Sequence, residues 1–293
     1  MKISGPEYVA VNAGELAIWE RPGGGPAVLF CHATGFHARC WDQVIARLAG
    51  QRSVAVDMRG HGRSFKPPPP YCWRRMGEDI AELCLALGLR GAVGVGHSMG
   101  GHSVALAAAL APQAFSSLVL IEPVILAEHE YGRGPGAPHF ARKRRNRWNS
   151  PEEMFARFRD RDPFRQWDSA VLRDYCNYGL LPAPDGEGFV LACPPEVEAS
   201  IYENSAASAA NIYSEIAEVA VPVQVIRSAR KRSDGEPMDM MGSATAPDLA
   251  WRFRQGRDMQ VEYSHFIPME APGWIANQVA AAAHSGAKQA GDT

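Results

Sequence analysis

The sequence predicts an α/β fold: a mostly parallel, twisted sheet with helices on both faces, interrupted by one mostly helical insertion. Three observations carry that prediction. Short apolar runs alternate with segments of helical period through the first third of the chain. The alternation stops near residue 126 and resumes at Val223. A glycine–serine–glycine turn stands between the third strand and the third helix of the series. Strands buried on both faces of a parallel sheet read as continuous apolar runs, and helices usually connect them.

Each element follows in order. Val28-Leu29-Phe30-Cys31 is a short apolar run after a Gly/Pro turn at Gly23 to Pro26, and reads as a buried strand. Trp41, Val44, Ile45 and Leu48 recur at helical spacing, so residues 41–48 read as a helix. Val54-Ala55-Val56 is a second strand. Ile80 to Leu87 is an apolar helix ended by Gly88. Ala92 to Val95 is a third strand, Met99 to Leu110 a third helix, and Ser117 to Ile121 a fourth strand stopped by Pro123.

Signals from about Leu126 to Glu218 are helical or irregular. Tyr131 to Pro138 is a Gly/Pro-rich linker, residues 152–159 and 168–178 read as helices, and Pro182 to Gly188 as a turn. The alternation returns with strand Val223 to Ile226, helix Pro247 to Phe253, strand Met259 to Glu262 and helix Gly273 to Ala283. Small, polar residues from His284 to Thr293 predict a frayed tail. The domain reading is therefore core 1–126, a helical cap or lid 127–218, and the second part of the core 219–293.

Composition narrows the class. The 293 residues carry 30 Lys and Arg against 32 Asp and Glu, with 46% hydrophobic residues, so the chain is neither disordered nor drawn by charge to nucleic acid or an anionic membrane. The apolar stretch Val104 to Pro112 is too short to span a bilayer, so no stable membrane insertion is expected. The six cysteines form no C-x-x-C pair and no zinc-type spacing. Met1 to Gly14 lacks the apolar run of a secretory signal. These features predict a cytoplasmic protein without a disulfide framework. An exposed cap or the sheet edge leaves room for a homodimer.

The strongest motif is Gly96-His97-Ser98-Met99-Gly100-Gly101. A G-x-S-x-G directly after a strand and directly before a helix is what a nucleophile elbow requires. Glycines flank the serine because side chains there would collide with the tight turn. The helix N-terminus points amide N–H groups at developing negative charge. The sequence lacks the lysine of a P-loop and the spacing of a dinucleotide fingerprint.

At these residues the chain resembles the α/β-hydrolase superfamily, over nearly its whole length. His32-Ala33-Thr34-Gly35-Phe36 resembles the family's H-G-x-G oxyanion loop. Asp57-Met58-Arg59-Gly60-His61-Gly62-Arg63-Ser64 resembles its D-x-R-G-x-G-x-S segment, and His265-Phe266-Ile267-Pro268 lies where the family puts its catalytic histidine. Within the superfamily the motifs look most like those of peroxisomal lipase and fungal toxin-biosynthesis hydrolases. The resemblance implies the α/β-hydrolase fold, a Ser98 nucleophile, and an oxyanion hole from the backbone N–H groups of Met99 and Thr34. It implies neither metal nor cofactor.

A serine hydroxyl needs a base, and the base needs an orienting acid. His265 is the expected base. Glu122, at the carboxyl end of strand Ser117–Ile121, is favoured as the acid, because a buried carboxylate there calls for a partner. Asp234, after strand Val223–Ile226, is the alternative at the more usual family position, but its turn is longer and more basic than the family's. Asp239 is a remoter option. Asp57 and Arg59 are read as bracing loop packing rather than as chemistry.

Residues 133–173 hold 11 of the 30 basic side chains, read chiefly as a solvated face and secondarily as recognition of an acidic group. The same region carries Phe140, Trp148, Phe155, Phe158, Phe164, Trp167, Tyr175 and Tyr178, some of which are expected to line an apolar pocket. A serine nucleophile disfavours epoxide and haloalkane chemistry, which this fold runs with aspartate. The sequence therefore points to a serine hydrolase of small carboxylic esters, or related thioester, lactone or C–C substrates, with an apolar acyl part. The alternative is a non-catalytic scaffold of the same fold serving as a ligand receptor or interaction protein.

Overall fold

A computed structural model describes residues 5–48, 50–132, 134, 136, 138–230 and 242–291, with 285–291 described by backbone alone. The core is an eight-stranded sheet. Its strands are β1 (Glu7–Val11), β2 (Gly14–Arg21), β3 (Gly24–Cys31), β4 (Gln51–Val56), β5 (Ala92–His97), β6 (Phe115–Ile121), β10 (Val223–Ser228) and β11 (Gly256–Val261). They lie in the order β1-β2-β4-β3-β5-β6-β10-β11. The pairs β1–β2 and β2–β4 are antiparallel, and every other neighbouring pair is parallel.

Apolar burial explains the layers. Helices α2 (Trp73–Ala86) and α3 (Met99–Leu110) cover one face, where Ile80, Leu83, Val104 and Leu106 meet Leu29, Val54 and Leu118 of the sheet. On the other face, α1 (Asp42–Ile45) and α9 (Pro272–Gly291) bury Val44, Ile45, Ile275 and Val279 against Val28, Phe30, Val93 and Val119. Alternate residues of each central strand thus go to opposite cores. Short α8 (Ile267–Glu270) precedes α9.

Between β6 and β10 the chain leaves the sheet. This segment contains α4 (Pro151–Phe158), α5 (Ser169–Tyr178), α6 (Pro195–Glu203) and α7 (Tyr213–Ile216). It also contains β7 (Arg147–Trp148), β8 (Leu180–Pro182) and β9 (Phe189–Leu191), an antiparallel sheet of order β7-β9-β8. The helices have local causes. Ser150 and Asp168 accept from backbone N–H groups at the starts of α4 and α5, and Pro151 occupies the first turn of α4.

Several expectations change. The amino-terminal hairpin β1–β2 and the small sheet of the insertion are absent from the sequence reading, so the insertion is less helical than expected. The expected helix 41–48 is a 3-10 turn at Ala38–Trp41 followed by the four residues of α1, and 247–253 yields a 3-10 turn at Leu249–Arg252. The backbone of residues 284–291 is helical where fraying was expected. Alanines at 280–283, 287 and 290 supply the propensity. The basic cluster is largely paired: Arg142 with Glu203, Arg144 with Glu198, Arg145 with Glu153 and Arg147 with Asp185. Arg142, Arg145 and Arg147 are exposed, in keeping with the solvated-face reading, whereas the Arg144–Glu198 pair is largely buried and departs from it. All six cysteines are unpaired, and among the described residues no helix is long and apolar enough to cross a membrane.

Arg59 makes a two-pronged, buried ion pair with Asp79 of α2. Removing one partner of a buried pair leaves an uncompensated charge. Arg59→Met is therefore expected to destabilise the fold by about 3–5 kcal/mol in urea unfolding, with most of the loss recovered when Asp79→Leu is added.

Candidate active site

Among the described residues, only two that are not glycine have positive φ: Ser98 at 56° and Glu122 at 47°. Both sit where a parallel strand ends. Ser98 follows β5 and caps α3; Glu122 follows β6. Such conformations cost about 1–3 kcal/mol each and persist where the surrounding structure over-determines them. Here the restraints are visible. The Ser98 N–H donates to the Ile121 carbonyl at 3.0 Å, and the Glu122 N–H to the Ile226 carbonyl at 2.7 Å.

The elbow needs its glycines for close approach. A Cβ on Gly100 would lie 2.3 Å from the Cys31 carbonyl oxygen, and one on Gly96 would lie 2.4 Å from that of Gly100. With both positions bare, α3 starts hard against the end of β3. Ser98 is 6% exposed there.

Glu122 and His265 meet. His265 Nδ1 lies 3.0 Å from Glu122 Oε2. The other carboxylate oxygen accepts from the Ser228 N–H at 2.5 Å and the Ser243 hydroxyl at 2.8 Å. Three donors thus converge on a fully buried carboxylate, which offsets its desolvation. Because a carboxylate accepts, Nδ1 carries a proton, and in the neutral ring Nε2 then holds the lone pair. The structure brings Ser98, Glu122 and His265 to the carboxyl ends of the central strands. Asp234 and Asp239 lie outside the described residues.

Thr34 and Met99 face one another, with Thr34 Oγ1 3.4 Å from Met99 Sδ. Neither backbone N–H donates to any group among the described residues. The loop carrying Thr34 is braced by imidazoles. His32 Nδ1–H donates to Ala33 O at 2.7 Å, while its Nε2 accepts from Met58 N–H at 3.0 Å. His61 Nδ1–H donates to Arg59 O at 2.9 Å, and its Nε2 accepts from Gly35 N–H at 3.0 Å. Burial pushes both imidazoles below the ordinary histidine value, which keeps the accepting nitrogens unprotonated. Asp57 accepts from the N–H groups of Ala38 at 2.7 Å and Arg63 at 2.9 Å, as expected of a brace.

An aromatic wall connects this loop to the insertion. Phe36 lies 5.6 Å from Trp167, 5.3 Å from Tyr175 and 6.1 Å from Phe266, measured between ring centres, and Trp167 lies 5.2 Å from Phe266. Of the aromatics singled out from sequence, Trp148, Trp167 and Tyr175 are buried in this cluster, with Phe155, Phe158 and Phe164 packed against it. Phe140 is exposed and stacks on His139 instead. Tyr178 packs against Trp19 and Arg39, away from the wall.

Sequence reasoning missed Ser228, Ser243 and the bracing role of His61. Single serines carry no motif; only the fold reveals that two of them serve one carboxylate.

Comparison with known proteins agrees with this architecture. A family model described as the alpha/beta hydrolase fold matches residues 26–168. An esterase of Mycobacterium tuberculosis is 35% identical over 127 residues, 42% of this chain and 42% of that protein. The match thus spans less than half the length of that curated relative. Among solved structures, an E-2-(acetamidomethylene)succinate hydrolase superposes with TM-score 0.69 at 21% identity, covering 94% of this chain and 97% of its own. A peroxisomal α/β-hydrolase from Saccharomyces cerevisiae gives 0.73 at 18% identity, covering 97% and 86%. At these identities the structural likeness shows the fold.

If the serine turn stores strain, removing its Cβ relieves it. Ser98→Gly is expected to raise the unfolding free energy by about 1 kcal/mol, the relief being partly offset by glycine's chain entropy. Chemical denaturation measures this, and a loss of stability would contradict stored strain at the turn.

Proposed function

We propose, from the premise that this chain is an α/β-hydrolase-fold protein, that it is a serine hydrolase of small carboxylic esters. Ser98 is the nucleophile, His265 the general base and acid, and Glu122 the orienting acid. One observation carries the reading. The 3.0 Å contact of His265 Nδ1 with Glu122 Oε2 lies at the carboxyl end of the central strands, where Ser98 occupies its strained turn.

The chemistry follows from the proton positions. His265 Nε2 takes the hydroxyl proton as Ser98 Oγ attacks the carbonyl carbon, and the imidazolium formed is stabilised by Glu122. The tetrahedral oxyanion accepts from the N–H groups of Met99 and Thr34. In a water-poor site, each such donor contributes about 3–4 kcal/mol to the transition state. Collapse expels the alcohol, which receives the proton from His265. A water activated by the same nitrogen then hydrolyses the acyl-enzyme.

The aromatic wall of Phe36, Trp167 and Phe266 supports an apolar acyl part. Thioesters, lactones and C–C substrates need the same nucleophile and oxyanion donors and stay within the proposal. The segment 127–218 is proposed as the cap over the Ser98 turn and this aromatic wall. Six unpaired cysteines support a cytoplasmic location.

A fluorophosphonate probe is expected to label Ser98, located by mass spectrometry, and to leave Ser98→Ala unlabelled. Absence of an adduct on the folded wild-type protein, with no turnover of any p-nitrophenyl ester, would move the chain to the receptor reading. Glu122→Gln is expected to lower kcat by about 10³–10⁴, as loss of the orienting carboxylate does elsewhere. Asp234→Asn serves as the comparison: a larger loss there would transfer the acid role. In the same ester panel, Trp167→Ala is expected to shift the preferred acyl chain towards greater length.

A further inference from the structure

His97 precedes the proposed nucleophile, and nothing in the proposed chemistry uses it. It is fully buried. Its Nε2 lies 2.9 Å from the main-chain carbonyl oxygen of His265, and the two rings are 5.1 Å apart between centres. Since a carbonyl only accepts, Nε2 carries the hydrogen and donates it. Its Nδ1 has no partner, although it is buried. Among the described residues, the His265 carbonyl accepts no other hydrogen bond. Phe36 meets the His97 ring edge-on at 6.2 Å between centres.

A buried imidazole with one orphaned nitrogen is a poor choice for stability, because an unpaired polar atom there is costly. An apolar side chain of similar size would fill the space without that cost. What only a donor of this reach supplies is the bond to His265. That residue is then held at two points: Glu122 grips its ring at Nδ1, and His97 grips its main chain. His97 is also covalently joined to Ser98. Its imidazole therefore ties the turn that carries the nucleophile to the loop that carries the base.

We propose that His97 is a positioning residue that fixes where the His265 imidazole stands relative to the Ser98 turn through its Nε2–H···O=C bond. The proposal rests on the serine-hydrolase reading. Burial and the neighbouring His265 both push the His97 imidazole well below its ordinary value, so it serves as a neutral donor.

The test compares wild type with three full-length variants. His97→Leu has no donor. His97→Asn carries an amide too short to reach. His97→Gln places its amide nitrogen near the position of Nε2. Each protein is labelled to completion with the fluorophosphonate to count competent sites, and p-nitrophenyl butyrate turnover is expressed per counted site. Expected is a fall in kcat per site of about 10–100-fold for Leu and Asn with KM nearly constant, since small misplacements of reacting groups cost this much. Gln is expected to recover to within about threefold of wild type. A merely structural role would lower the number of competent sites and leave kcat per site unchanged, which overturns the proposal. Equal losses in Asn and Gln also overturn it, because the donor would then be irrelevant. If the Leu variant does not fold, the Asn–Gln pair decides alone. Failure of the underlying reading looks different: the wild-type protein takes no label and matches Ser98→Ala, which removes this proposal along with its premise.

Discussion

Strands β5, β6 and β10 run parallel, β5 and β6 ending level and β10 running two residues further, and the candidate site hangs from that register. His97 pairs with Ile121, and Ile121 with Ile226. The next residue on the first two strands is then Ser98 or Glu122, and two residues past Ile226 comes Ser228. Ladder geometry alone thus places the proposed nucleophile, a carboxylate and a donor to that carboxylate on adjacent tracks. The last ladder bonds continue past the strands into the site, from Ser98 to Ile121 and from Glu122 to Ile226. A one-residue slip in a parallel sheet buried on both faces would exchange the two cores, so the register is strongly specified. Strain at Ser98 and Glu122 is affordable for the same reason: the ladder and the apolar layers hold both turns from three sides.

The histidines show how polar groups survive in this interior. His32, His37, His61, His97, His102 and His265 are all buried. Desolvation pushes His37 and His102 down to about 4, and His32, His61 and His97 below the ordinary value. Neutral imidazole offers one donor and one acceptor in a rigid plane. His32 and His61 spend both groups on backbone atoms, whereas His97 and His102 use Nε2 on a carbonyl and leave Nδ1 without a partner. His37 holds Tyr175 O at 3.1 Å, and His102 holds Ala210 O at 2.8 Å, so these two rings tie the core to the insertion. In the proposed chemistry, only His265 is left to exchange protons with a substrate.

Much of this was legible in the sequence because it depends on local constraints. Gly96 and Gly100 are bare where backbone crowds to within 2.4 Å, and that requirement prints directly as a motif. Glu122 was legible for a different reason: a carboxylate at a buried strand end has to find a partner, and the fold supplies His265, Ser228 and Ser243. The hairpin β1–β2 was not legible, since β1 is mostly exposed and lacks a continuous apolar run. Strands β7, β8 and β9 are only two or three residues long, too short for any period to register. Partners such as Ser243 are set by long-range packing, 121 residues from the group they serve.

The insertion and the oxyanion loop are not independent bodies. Gly35 has φ +80°, and a Cβ there would lie 2.9 Å from Glu198 Oε1 of α6. Glu198 is paired with Arg144, which also donates to the Tyr175 hydroxyl at 2.9 Å, and the Tyr175 ring packs on Phe36. Burial raises the Glu198 carboxyl and Arg144 opposes that rise, so the guanidinium favours the charged carboxylate in a place that disfavours it. The loop that offers the Thr34 N–H is thereby pressed between His61 on the core side and the Arg144–Glu198 pair on the other. Any displacement of α6 must either drag Gly35 with it or open a gap beside a buried ion pair, and both are costly. The geometry of the proposed oxyanion hole is in this way set by residues from both parts of the chain, which is why it cannot be read from the H-A-T-G-F motif by itself.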